Sequence, residues 1–317
     1  MLASPAQLHI PDGFLSTPVA ILFWILSAIV IAIALRRVNA DLGERHVPMM
    51  GVLAACIFAG QMLNFAVAGG TSGHLLGAAL AAILLGPWAA VLVMTSVLGV
   101  QALIFQDGGL LALGANIFNM GIIGAFVGHF AYTTLRRLSG NRAWGIFAGG
   151  FIGAWLAVVI SALACALQLA LSGTSPANIA VPAMGGVHVL IGIGEGLITV
   201  GALAFIYVAR RDLLGIGEGK PAGKAVWVAG LVIALALAIM SPLASAHPDG
   251  LEWVAEQAGF LHQAASAPYS IIPDYVMPGV SNEALATIIA GIVGVVIVAA
   301  VVGALVLSRR NAQGKTQ

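Results

Sequence analysis

Long apolar runs separated by short polar segments make up most of the chain. The runs lie at approximately 18–35, 47–66, 75–104, 112–135, 144–171, 183–209, 226–245 and 286–307. About 20 apolar residues cross a bilayer as a helix, so the pattern predicts an all-α integral membrane protein. The run 75–104 is too long for one ordinary crossing, and Gly86-Pro87-Trp88 interrupts it where proline breaks a helix.

The basic residues indicate how often this run crosses the membrane. All 13 fall in four clusters: Arg36, Arg37 and Arg45; Arg136, Arg137 and Arg142; Arg210, Arg211, Lys220 and Lys224; Arg309, Arg310 and Lys315. Because Lys and Arg favour cytoplasmic loops, the four clusters share one face only if 75–104 crosses twice. We therefore predict nine helices, the third and fourth short, with the N-terminus outside and the C-terminus in the cytoplasm. A pair of re-entrant helices at 75–104 would also leave all four clusters on one face of the membrane, so this alternative stays open.

Composition excludes a soluble protein. Of the 317 residues, 60% are hydrophobic and 8% are charged, against about 25% charged in an average soluble domain. The formal net charge of +1 gives no indication of a nucleic-acid partner. Membrane lipid is the expected surrounding.

A change in composition predicts two domains. A Gly-rich cytoplasmic linker at 213–224 separates residues 1–212 from residues 225–317, and we call the latter the C-terminal module. Its two helices flank an extracytoplasmic loop at 246–285. The small residues before Ala246 imitate a signal-peptidase site, but the end of a helix is the favoured interpretation.

Three histidines are expected at the same membrane depth. His9 precedes the first helix, His74 opens the third and His188 opens the seventh, all on the outer side. Imidazole suits nickel, cobalt, copper and zinc, so an outward-facing metal site is predicted. The alternative for each histidine alone is a hydrogen-bonded residue at a helix end. Polar Ser72, beside His74 in a glycine-rich stretch, supports a site.

Glu195 is the one acid expected inside a helix. An ionisable residue in the membrane is a functional candidate, but we favour a structural role as the partner of a buried polar group such as Asn64 or Asn116.

No catalytic residue is assigned, and the chain is not expected to be an enzyme. It contains no GxxxxGK[ST] motif for ATP hydrolysis, so transport energy must come from another subunit or an ion gradient. A secondary transporter that uses Glu195 as a proton relay stays open. An integral-membrane zinc enzyme built on the three histidines is disfavoured, because no acid–base motif such as HExxH accompanies them.

Three separated motifs resemble the CbiM/NikM family, the metal-binding S components of energy-coupling-factor cobalt and nickel transporters. They are LHIPDGFLS at 8–16, GQMLNFAVAGGTSGHLLGAALAAILLGPWAA at 60–90 and HVLIGIGEGLIT at 188–199. The tail, with HPDGLE at 247–252, resembles the NikN-type PDGLE module.

The resemblance implies a seven-helix S-component bundle plus two C-terminal helices in the bacterial plasma (inner) membrane. It implies a transmembrane T component and two cytoplasmic ATPases as partners, no organic cofactor, and Ni(II) or Co(II) as the transported substrate. The nickel-type tail favours nickel.

The resemblance also implies a square-planar set of nitrogen ligands. These would be the Leu8 amine, the backbone nitrogen and side chain of His9, and the side chain of His74. Seven residues precede Leu8, which makes its nitrogen an ordinary amide, so we hypothesise that the native chain starts at Leu8. In the tail, Asp249 is expected to cap a short helix through Trp253 and Phe260 and to help the binding loops load metal.

Overall fold

The structure is a computed structural model that describes residues 9–41, 46–216 and 224–313. Helices dominate these residues. They are α1 (Thr17–Asp41), α2 (His46–Gln61), α3 (Ala78–Leu85), α4 (Pro87–Phe105), α5 (Leu113–Leu138), α6 (Ala143–Leu171), α7 (Ala177–Ala209), α8 (Lys224–Met240), α9 (Gly250–Gln257) and α10 (Glu283–Gln313). The last turns of α4 and the middle of α5 are π-helical.

The prediction of an all-α membrane protein is confirmed. Within the described residues, 7 helices are long and apolar enough to cross a membrane: α1, α4, α5, α6, α7, α8 and α10. The expectation that the fourth helix is short is wrong, because α4 has 19 residues. Helices α2 and α3 are shorter, with 16 and 8 residues.

The break predicted in the third apolar run is present. Helix α3 ends at Leu85, Gly86 has a φ of 82°, and α4 begins at Pro87, where the fixed φ of proline suits the first helical position. Eight residues of helix rise about 12 Å, and residues 74–77, which form neither helix nor strand, precede them. Leu80 of α3 packs with Leu214, while α4 returns to the end where His74 lies.

Arg136 and Asp12 lie at opposite ends of the helices, and Asp212 pairs with Arg210 at the end that holds Arg136. At one end, Nη1 of Arg136 donates to the carbonyl of Leu214 at 2.8 Å. At the other end, Asp12 accepts the backbone N–H of Leu111 at 2.9 Å. The end of the helices that holds Arg136 is therefore opposite to the end that holds Asp12.

The C-terminal module packs on α2. Helices α8 and α10 both contact α2, and glycines permit their close approach. A Cβ added to Gly230 would clash with Val52, and one added to Gly294 would clash with Phe58. Small residues commonly allow this packing between membrane helices.

A short hairpin that the sequence did not predict precedes His74. Strands β1 (Phe65–Val67) and β2 (Thr71–Gly73) pair antiparallel around Gly69 and Gly70, whose φ values are 86° and 78°. The backbone approaches a neighbouring helix closely at Gly73, where an added Cβ would lie 2.5 Å from Ile191.

Candidate metal-binding site

A cavity of about 80 Å³ lies at the acidic end of the helices. Its lining includes His9, His74, His188, Asn116 and Asp249. The three histidines predicted to lie at one depth therefore line one cavity. The volume suffices for a metal ion and a few waters.

Paired backbone contacts fix the segment that carries His9. Asn116 accepts the N–H of Ile10 and donates to its carbonyl, both at 3.1 Å. Asp12, three residues after His9, accepts three backbone N–H groups at the start of α5, from Leu110, Leu111 and Ala112. The segment before α1 is thereby tied to the loop between α4 and α5.

The imidazole of His9 is buried against a carboxylate. Its Nδ1 lies 3.1 Å from Oδ1 of Asp107. Burial lowers the pKa of His9, but the Asp107 charge and its hydrogen bond outweigh burial and raise it above the ordinary value. The pKa of Asp107 is lowered despite burial, because His9 and Tyr275 stabilise the charged form. Nε2 of His9 is buried without a hydrogen-bond partner among the described residues.

His74 lies against His9. The ring centroids are 5.6 Å apart and the planes meet at 80°. Nδ1 of His74 lies 3.0 Å from the carbonyl of Leu75. A carbonyl can only accept, so Nδ1 is the protonated nitrogen and Nε2 keeps its lone pair. Histidines that bind metal through one nitrogen commonly donate the other N–H in this way.

Glu195 holds the turn that follows His74. Its carboxylate accepts the backbone N–H groups of Leu76 at 2.6 Å and Gly77 at 2.9 Å. Leu76 lines the cavity, and Gly77 has a φ of 78°. These contacts agree with a structural role.

The expected asparagine partners of Glu195 lie elsewhere. The side chain of Asn116 is hydrogen-bonded to the backbone of Ile10. The carbonyl of Asn64 accepts the N–H of Ser245 at 2.8 Å, which ties the end of α2 to the C-terminal module. Sequence reasoning placed Glu195 correctly in a helix but missed its backbone partners.

The C-terminal module contributes Asp249, Gly250 and Leu251 to the lining of the cavity. Ser72 donates to the carbonyl of His247 at 2.8 Å and pairs with Asp249 in an isolated parallel bridge. Asp249 accepts the N–H of Glu252 at 2.7 Å, which confirms that it caps a short helix. That helix, α9, ends at Gln257. Burial raises the pKa of Asp249 to about 8.

Helix α7 contributes Met184, His188 and Ile191 to the lining of the cavity. Nδ1 of His188 lies 2.8 Å from the carbonyl of Met184, one turn earlier. His188 therefore also directs its protonated nitrogen to the backbone, which leaves Nε2 as the nitrogen with a lone pair.

The described residues do not provide a complete metal cage. No group of three His, Cys, Asp or Glu side chains among them lies in a geometry that could hold a metal ion. Leu8, the predicted source of a further ligand, lies outside the described residues. His247 and His262 are exposed and are not among the residues that line the cavity.

Residues important to this site escaped sequence reasoning. Asp12 lies in the motif at 8–16 but was given no role, and Asp107 and Tyr275 gave no local signal beyond being polar residues outside the apolar runs. Their contacts join segments 98 to 168 residues apart.

Comparison with known proteins gives two family matches. Residues 9–213 match the model for CbiM, the cobalt uptake substrate-specific transmembrane region, and residues 224–310 match the PDGLE domain.

Curated relatives include both fused and single-domain proteins. A putative fused nickel transport protein NikMN of Archaeoglobus fulgidus is 39% identical over 96% of this chain and 100% of its own length. A fused nickel transport protein NikMN of Rhodobacter capsulatus is 30% identical over 93% of this chain and 96% of its own. The cobalt transport protein CbiM of Sorangium cellulosum is 37% identical over 61% of this chain and 88% of its own.

A solved structure is similar to the first part of the chain. The crystal structure of a truncated transition metal transporter is 36% identical, with a TM-score of 0.55, over 63% of this chain and 98% of that one.

Proposed function

Since this chain belongs to the CbiM family and is a multi-pass nickel or cobalt transport protein rather than an enzyme, we propose that it is the metal-binding subunit of an energy-coupling-factor importer. The proposed substrate is Ni(II), with Co(II) as the second candidate. The fused relatives at near full length are nickel transport proteins by name, whereas the relative that lacks the tail is a cobalt transport protein.

The observation that carries the proposal is the pairing of His9 with His74. These imidazoles come from motifs 65 residues apart in the sequence, yet their centroids lie 5.6 Å apart in one cavity. Two imidazoles with further nitrogen donors form the kind of set that Ni(II) prefers. The proposed ligands are His9, His74 and, if the chain begins there, the Leu8 amine. His188, Ser72 and Glu195 shape the cavity, and Asn64 anchors the loop beside it.

We place the cavity on the extracytoplasmic side of the bacterial plasma membrane, with the C-terminus in the cytoplasm. The segregation of Arg136 and Arg210 from Asp12 and Asp249 supports this orientation, because Lys and Arg favour cytoplasmic loops. The proposed partners are a transmembrane T component and two ATPases, which would supply the ATP hydrolysis for which this sequence has no Walker A motif.

In the proposed mechanism, the cavity captures metal from outside. Movement of the T component, driven by ATP hydrolysis, then opens the bound site toward the cytoplasm. Ligand imidazoles must be neutral to bind metal, so capture weakens as the medium becomes acidic. The domains are proposed to divide at the linker 213–224.

The decisive experiment measures bound nickel and cobalt, and cellular uptake, for His9→Ala and His74→Ala. His262→Ala, at an exposed histidine of the same end, is the control. Both site variants should lose metal and uptake, and the control should keep both. Normal binding and transport by the two site variants would reject the site. Uptake that survives loss of the ATPases but fails without a proton gradient would favour the secondary transporter.

A further inference from the structure

Two glutamines are completely buried where α2 packs against α4. Gln61 is the last residue of α2, Gln101 lies near the end of α4, and neither residue is exposed. Nε2 of Gln101 donates to Oε1 of Gln61 at 2.9 Å. Nε2 of Gln61 in turn donates to the backbone carbonyl of Leu76 at 3.0 Å. Polar side chains inside a membrane bundle are costly and commonly functional, and this pair ends two residues after the proposed ligand His74.

Side chains hold both of the peptide groups that follow His74. The carbonyl of the first group, at Leu75, accepts Nδ1 of His74 at 3.0 Å. Its N–H, at Leu76, donates to Glu195 at 2.6 Å. The second group donates its N–H to the other oxygen of Glu195 at 2.9 Å, and its carbonyl accepts from Gln61. Glu195 on α7 and Gln61 on α2 therefore hold the second peptide group at opposite ends.

The end of α2 also packs directly against this turn. A Cβ added to Gly60 would lie 2.8 Å from a methyl carbon of Leu75, and one added to Gly77 would lie 2.8 Å from Ile57. Gly77 has a φ of 78°, a conformation that glycine adopts at no steric cost. Helix α2 is therefore the surface on which the turn rests, and Gln61 adds a directional hydrogen bond to that contact.

The orientation of the His74 imidazole depends on this turn. Its Nδ1–H is held by the Leu75 carbonyl, which belongs to the peptide group directly before the one that Gln61 holds. Rotation of the second group about the bonds of Leu76 would disturb the first, because both groups meet at the same Cα atom. A hydrogen bond to the nitrogen that does not bind metal fixes the ring of a ligand histidine, so a fixed Leu76 keeps the ring of His74 in place.

We propose that Gln61, supported by Gln101, is a positioning residue for His74, which fixes the turn after this ligand so that the imidazole faces Ni(II) or Co(II). This inference rests on the proposed function and deepens it. It assigns to α2 and α4 the role of a support behind a ligand that neither helix carries.

The test is Gln61→Met, which keeps an unbranched side chain of similar length and removes the amide. Nickel affinity is measured on the full-length protein in detergent by competition with a chelator. We expect a loss of about tenfold or more, the range typical of residues behind a ligand. The control is Met50→Ala, at a buried position of the same helix that is not among the residues lining the cavity. It should lower the Tm and change the affinity by less than about twofold.

A double variant separates positioning from stability. Gln61→Met alone leaves the amide of Gln101 without its acceptor. Gln61→Met combined with Gln101→Met replaces both partners by apolar side chains, which costs much less stability than removing one. The double variant should therefore have a higher Tm than Gln61→Met and still bind nickel as weakly, because the hydrogen bond to Leu76 is absent from both. Affinity that recovers together with the Tm, wild-type affinity in Gln61→Met, or an equal loss in Met50→Ala would each overturn the proposal.

A second readout does not require metal. The ¹⁵N resonances of the His74 ring in the metal-free protein should shift in the double variant and stay unchanged in Met50→Ala. If the wild-type protein bound neither nickel nor cobalt but the variants showed this difference, the effect of Gln61 on His74 would stand and the proposed function would fail. An unchanged His74 ring in the double variant would overturn the positioning role.

Discussion

Gly250 lies so close to His188 that a Cβ atom on Gly250 would be 2.8 Å from Cε1 of the imidazole. The same atom would be 2.7 Å from Cδ1 of Ile191. Gly250 is the first residue of α9, directly after the capping residue Asp249. The absence of a side chain at Gly250 thus lets the C-terminal module rest on the helix that carries His188.

Gly250→Ala should push α9 away from α7. Inserting a methyl group into a filled site typically costs about 1–3 kcal/mol, so we expect a lower free energy of unfolding together with weaker nickel binding. Thermal unfolding in detergent and a chelator competition measure the two effects. Gly186→Ala is the control, because Gly186 is in the same helix as His188 and its added Cβ meets nothing within 4 Å. Equal effects of the two variants would contradict the contact.

Glu195→Gln should destabilise the turn after His74. The carboxylate accepts two backbone N–H groups, from Leu76 and Gly77, whereas the amide offers one acceptor and places its NH₂ group against a donor. Leaving a buried donor unsatisfied costs about 1–3 kcal/mol, and displacement of the turn should also weaken nickel binding. Glu256→Gln, at an exposed position of α9, should change neither quantity. A Glu195→Gln protein with unchanged stability would refute the structural role.

Asp12→Asn should loosen the connection between the His9 segment and α5. Only one of the two carboxylate oxygens that bind Leu110, Leu111 and Ala112 remains an acceptor. Hydrogen exchange at these three amides should become faster, since protection reports local opening, and Asp12→Ala should accelerate it further. Exchange there should not respond to Glu283→Gln, which changes an exposed acid of α10. Unaltered protection in Asp12→Ala would contradict the contacts.

Asp274 should make stability depend on pH. Burial, with the Asp107 charge as a second cause, raises the pKa of this carboxyl to about 6, above about 3.9 in an unfolded chain. The folded state then binds the proton more tightly, so this contribution is full below pH 4 and is lost as the pH rises to about 6. Asp274 is partly exposed, which reduces the effect through solvent screening.

Asp274→Asn removes this titration and tolerates the left-handed backbone, because asparagine is enriched there. The decrease in Tm between about pH 4.5 and about pH 7 should be smaller in the variant than in the wild-type protein. Parallel curves for the two proteins would show that Asp274 does not contribute.

The sequence predicted the architecture well where the physical signal is local. Apolar run length and the break at Gly86-Pro87 depend only on neighbouring residues, and the helices follow them. The cap formed by Asp249 is also local, since its partner Glu252 is three residues away. The prediction of a short fourth helix failed, because the π turns extend α4 to Phe105.

The hydrogen-bond partners of buried polar groups could not be predicted from the sequence. Glu195 was expected to meet an asparagine side chain, but it holds backbone N–H groups more than 100 residues away in the chain. The hairpin before His74 was also missed, because a strand of only three residues that contains Ser and Gly gives a weak signal of β-strand propensity.

The amino-acid sequence was enough to predict a helical membrane protein whose basic residues fall in a few clusters, because long apolar runs and the high cost of burying charge in lipid act on each residue separately. It also placed His9, His74 and His188 at one depth. The tertiary structure alone decided which groups face one another there. The Asp107 carboxylate behind His9 and the Tyr275 hydroxyl behind Asp107 meet only after distant segments pack, since contacts between side chains that are far apart in the sequence have no counterpart in the linear pattern.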